Sequence, residues 1–77
     1  MTFAYQMPDE VLVYLINEEV NAPTESRRLA AKFILDCLRV YATRREIAHC
    51  IEKLDEDAML DIAPDAKALA ESVGLIR

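Results

Sequence analysis

LAAKFILDCLRVY, residues 29–41, decides the fold. Ala30, Phe33, Ile34, Cys37, Leu38 and Tyr41 recur at i, i+3, i+4, i+7, i+8 and i+11, the spacing of one buried stripe on an α-helix. Leu29 and Val40 widen the stripe on one flank, and Ala31 and Leu35 widen it on the other. The predicted helix, over about 25–42, is apolar around so much of its circumference that it belongs in the middle of a bundle.

Upstream, Asn21, Pro23 and Thr24 break the chain. Before them stands DEVLVYLINEEV, residues 9–20, with six apolar side chains in succession from Val11 to Ile16. Its β-branched and aromatic content would suit a strand if the flanks were removed. The flanks favour a helix: Pro8 precedes Asp9 and Glu10, which places acids in the first turn where the helix dipole stabilises them.

Downstream, Thr43-Arg44-Arg45-Glu46 has the form of a capping box, and the helix it starts has Ile47, Cys50, Ile51 and Leu54 on its inner face. Asp55 is placed to cap a short helix carrying Ala58, Met59 and Ile62. Pro64 and Asp65 open a last helix with Ala66, Leu69, Ala70 and Val73 on one side, closed by Gly74 as the left-handed residue. Gly74 is the only glycine, and no Asn-Gly or Asp-Gly pair is present to turn a hairpin. The sequence therefore predicts an all-α fold: a compact bundle of four to five short helices in a single domain spanning residues 1–77.

A hydrophobic fraction of 53% with 30% charged residues is that of a chain that folds. With one core in 77 residues, burial and ordering entropy nearly cancel, so further burial against another chain would help. No stretch reaches the roughly 18 to 20 apolar residues of a membrane span. Asp9 and Glu10 stand where a signal peptide would carry positive charge, so the expected location is cytoplasmic. Cys37 and Cys50 both fall on apolar helix faces and read as reduced core residues.

Chemistry finds few residues to work with, and the expectation is a protein that is not an enzyme. His49, the sole histidine, lies opposite the Ile47, Cys50, Ile51 and Leu54 face, and a helix points His49 and its neighbour Cys50 about 100° apart. No C-x-x-C or H-x-x-x-H spacing places two metal ligands on one face. Asp55, Asp57 and Asp61 begin like a calcium loop, but Leu60 and Ala66 occupy the positions that need glycine and glutamate. One glycine cannot form a phosphate-binding loop. No catalytic, metal or cofactor site is expected.

Charge is segregated. Residues 1–26 hold five acids and no base, residues 27–45 hold six bases against Asp36, and residues 46–77 hold eight acids and three bases. Arg28, Lys32 and Arg39 form a basic stripe on the outer side of the second helix, followed by Arg44 and Arg45. The stripe reads as a solvated face turned toward the protein's own acidic helices, or as a contact for phosphate or an acidic partner. TRREIAHCIEKL, residues 43–54, resembles the first helix of a helix-turn-helix, with Ala48 flanked by Ile47 and Ile51. That resemblance implies a nucleic-acid-binding regulator using the basic segment 27–45. Against it, residues 55–61 would push four carboxylates toward phosphates, and Glu52 stands where the motif turns on glycine.

The surplus apolar surface points elsewhere. On the first helix Val11, Leu12, Leu15, Ile16 and Val20 can share an inward face, with Glu18 outside and Glu19 at its edge. Val13 and Tyr14 point away from it. Phe3, Tyr5 and Met7 precede the helix in an alternating segment placed to lie over the same region. Either that segment covers Val13 and Tyr14 within one molecule, or an apolar patch edged by acids is left for another chain. The expected partner-binding residues are Val13, Tyr14, Glu10, Glu18, Phe3 and Tyr5. The expected function is a non-enzymatic protein–protein interaction module, an adaptor or small inhibitor covering a surface of a larger protein, or a homodimer.

Overall fold

Thr24 and Thr43 set where two of the helices begin. In the structure, a computed structural model that describes residues 2–56 and 61–77 and only the backbone of 55 and 56, the Thr24 hydroxyl accepts the Arg27 amide at 3.2 Å. The Thr43 hydroxyl accepts the Glu46 amide, also at 3.2 Å, and donates to the Glu46 carboxylate at 2.8 Å. Each threonine satisfies an amide that a helix start leaves without a partner. Helix α1 (Asp9–Asn21) is followed by α2 (Glu25–Val40) and α3 (Arg44–Glu52); a 3-10 turn over Lys53–Glu56 continues α3, and α4 (Ala63–Ser72) comes last. The chain is all-α, with no strand among the described residues.

The end of α4 is a Schellman motif. Gly74 takes φ +79° and donates to the Glu71 carbonyl, while Leu75 donates to the Ala70 carbonyl at 2.9 Å and buries its side chain. At its other end, Pro64 sits in the first turn of α4, and Ser26 of α2 donates to the Asp65 carboxylate at 2.5 Å. Ala58 and Met59, expected on a short helix after Asp55, lie outside the described residues, as do Asp57 and Leu60; Ile62, expected with them, is buried.

Helix α2 is central, and α1, α3 and α4 all pack against it. Its buried residues are Ala30, Ala31, Ile34, Leu35, Cys37 and Leu38. The expected stripe is therefore rotated toward its Ala31 and Leu35 flank, where Leu15 of α1 joins the core; Leu29 and Val40, expected to widen the other flank, are exposed instead. Alanines meet between α2 and α4, where Ala30 clusters with Ala63 and Ala66, and Leu54 of the 3-10 turn joins them. The Cα radius of gyration is 11.3 Å, close to the ~11.5 Å of a compact chain this long. No helix among the described residues is long and apolar enough to cross a membrane.

The amino-terminal segment ends on α2. The amides of Ala4 and Tyr5 both donate to the Leu38 carbonyl, at 2.9 and 3.1 Å, and so satisfy one of the carbonyls that the end of α2 leaves open. Phe3, Tyr5 and Met7 pack against the main core, and the Arg39 guanidinium lies 5.4 Å over the Phe3 ring.

Candidate partner-binding face

Helix α1 has packing on one side only. Leu15 is fully buried, with Val11 and Leu12 half-buried beside it against the core that α2 dominates. Val13 is 65% exposed, Ile16 45% and Val20 66%. These three stand at i, i+3 and i+7, which places them in one row on the side opposite Leu15. Ile16 and Val20, which the spacing places on the inward face, lie on the outward one. The row is about 10 Å long at 1.5 Å per residue, with Asp9, Glu10 and Glu19 around it.

An ion pair joins α1 to α2 beside the buried Leu15. Arg27 Nε donates to Glu18 Oε1 at 2.6 Å, and its Nη2 donates to the Tyr14 hydroxyl at 3.1 Å. The Glu18 hydrogen bond, more than any other influence, raises the Arg27 pKa above its ordinary value. Glu18, expected to face outward, is drawn into the seam between α1 and α2, and Tyr14 is held at the same seam although still partly exposed. Next to this pair, Arg28 Nη1 donates to the Ala22 carbonyl at 2.6 Å and closes the connection between the two helices.

The expected binding residues therefore divide. Val13 and Glu10 are on the open surface; Tyr14 and Glu18 fasten α1 to α2; Phe3 and Tyr5 belong to the segment packed on the core. Of the two alternatives, cover by that segment fails for Val13, which keeps its 65% exposure. Ile16 and Val20 complete the row and were assigned to the wrong side, because their spacing from Leu12 suits the inner face as well as their spacing from Val13 suits the outer one.

Of the basic residues, Lys32 is exposed, and Arg39 donates to Asp36 Oδ1 at 2.8 Å while stacking on Phe3. Arg44 donates to the Leu75 carbonyl at a long 3.4 Å, and Arg45 is exposed. The stretch that would have to supply a recognition helix includes residues 57–60, outside those described.

Of the candidate reactive groups, Cys37 and Cys50 meet beside Tyr41 in one hollow between α2 and α3. His49 is exposed, Cys37 is buried and Cys50 half-buried, and both thiols are free. Burial, with Cys50 and Asp36 adding to it, pushes the Cys37 thiol up to about 12, so it carries almost no thiolate at neutral pH. A hydrogen bond with Cys50 raises the Tyr41 phenol as well. Among the described residues no three His, Cys, Asp or Glu side chains converge as metal ligands would. Comparison of the chain with protein-family models, with curated proteins and with solved structures found no match.

Proposed function

We propose that this protein is a non-enzymatic interaction module, an adaptor or small inhibitor that uses the outer face of α1 to cover a surface on a larger protein. The observation that carries the reading is the row of Val13, Ile16 and Val20, exposed in line opposite the buried Leu15. A solvated helix in a monomer is polar on that side, and a contiguous apolar row with a polar border is the composition of a docking face. Its border selects the partner. Asp9 and Glu10 are exposed at the amino-terminal end of the row and half-buried Glu19 lies beside its other end, Arg27 is committed to Glu18, and residues 1–26 contain no base. The surface that fits is therefore an apolar strip flanked by lysines and arginines, met by charge complementarity as much as by burial.

The test is capture of a partner from the source cell, followed by titration of the purified pair. Wild-type protein should bind with an affinity that falls as salt rises, and Val13→Glu with Ile16→Glu should abolish binding while leaving the helical circular dichroism intact. Equal binding by wild type and the folded variant, or binding by neither, overturns the proposal.

A further inference from the structure

The same chain carries a surface that answers the description of the partner. Arg44, Arg45 and Arg77 rim a cleft of about 460 Å³ between α3 and the segment after α4, with Ala48, Leu75 and Ile76 on its apolar floor and Glu52 as the one acid lining it. Arg45 and Arg77 form no ion pair with the described residues, and Arg44 has only its long bond to Leu75. A chain of net charge −5 has carboxylates in excess, yet these guanidiniums are grouped around a concave apolar site without an ion pair among the described residues. Helix α1 presents the converse: a protruding apolar row with acids around it.

We infer that the outer face of α1 docks into the arginine-rimmed cleft of a second copy, so that the protein associates head to tail. This rests on the proposed docking role of the α1 face and puts a second copy in the place of the larger protein as its occupant. Charge chooses this arrangement over a symmetric one. Two α1 faces brought together would set Asp9, Glu10 and Glu19 of each copy against the same acids of the other, whereas the cleft offers three cations against one acid. Size sets its strength. A tenth of the 4,877 Å² surface from each copy gives roughly 1,000 Å² in all, the lower edge of specific interfaces, so association is weak and concentration-dependent. Because the two surfaces differ, each added copy leaves one face and one cleft open, and growth continues until a ring closes or dilution stops it.

Sedimentation of the full chain tests this. At low salt, from tens to hundreds of micromolar, the apparent mass of wild type should climb well above the 8.7 kDa of one chain. It should return to that value in about 1 M salt, where the screening length is ~3 Å. Ile16→Glu removes the face and Arg45→Glu reverses a cleft cation; both positions are exposed, and circular dichroism confirms that each variant folds. Each alone should remain a single chain. Mixed in equal amounts, they should form a two-chain complex and nothing larger, because the intact cleft of one meets the intact face of the other and the remaining surfaces are spoiled. Self-association of Ile16→Glu, a mixture that stays at one chain, or a wild type that is a single chain throughout each overturns the inference. If that single-chain wild type still captures a foreign protein and Val13→Glu with Ile16→Glu does not, the docking role of α1 survives and only its partner is wrong.

Discussion

Leu15 and Val13 are two residues apart, yet truncating them should have very different consequences. Leu15→Ala removes three carbons from a side chain with no exposure. At ~0.8 kcal/mol per buried methylene the transfer loss is about 2.4 kcal/mol, and a partly unrelaxed cavity brings it to about 3 to 4 kcal/mol. A chain of 77 residues has roughly 4 to 12 kcal/mol of stability at ~0.05 to 0.15 kcal/mol per residue, so this one change removes a large part of it. Val13→Ala acts on a side chain that is 65% exposed, and alanine is the better helix former, so the change should stay within ~0.5 kcal/mol. The assay is urea unfolding followed by far-ultraviolet circular dichroism at a few micromolar, dilute enough to keep weak association out of the measurement. A loss above about 2 kcal/mol for Val13→Ala, or below about 1 kcal/mol for Leu15→Ala, would mean that α1 is rotated differently on α2. Val13 would then not stand on an open docking face.

Thr43→Ala should cost about 1 kcal/mol in the same unfolding assay, with Thr43→Ser restoring most of it, because the capping hydroxyl carries the interaction and the γ-methyl lost with it is on an exposed residue. Gly74→Ala should also cost about 1 kcal/mol; no atom lies within 4 Å of an added Cβ, so the penalty comes from φ +79° alone and a Gly74→Asn variant should lose less. The unfolded Cys37 thiol ionises near 9.0 while the native one holds its proton to about 12, so rising pH favours the unfolded state in this window. Stability should fall by up to about 1.4 kcal/mol per pH unit there, a slope that unfolding curves of Cys37→Ala will lack by comparison.

The spacing in residues 29–41 made the helical fold legible, because a stripe with the 3.6-residue period survives any choice of neighbour. The cap at Thr43 and the left-handed Gly74 were equally local and appear where their chemistry places them, whereas Thr24 reads only as part of a break and turns out to cap α2. What the pattern could not give was rotation. Leu29 and Val40 read as one flank of the α2 stripe and are exposed, whereas Ala31 and Leu35 on the opposite flank are buried, because α1 packs on that side. Ile16 and Val20 failed for the same reason. A helix apolar around most of its circumference satisfies several inward faces, and the choice among them lies in a contact with another element. The signal in this case was Arg27, nine residues beyond Glu18 and across a turn that Pro23 makes tight, but sequence spacing alone does not say that the two side chains meet.

That pairing also changes what the charge tally means. The five acids of residues 1–26 and the bases of residues 27–45 balance on paper, and the simplest reading is that they neutralise one another within the fold. The ion pairs among the described residues are sparser: Glu18 with Arg27 across the α1–α2 seam, and Asp36 with Arg39 along α2. Both use local partners, so among the described residues no ion pair joins the acids of the first helix to the arginine cleft. Exposed pairs contribute little to stability, and folding alone gives no reason to keep Asp9, Glu10 and Glu19 on one side and Arg44, Arg45 and Arg77 on another. Association does give one. Separated patches of opposite sign speed encounter and fix orientation between molecules, with Val13, Ile16 and Val20 supplying the burial that charge alone cannot.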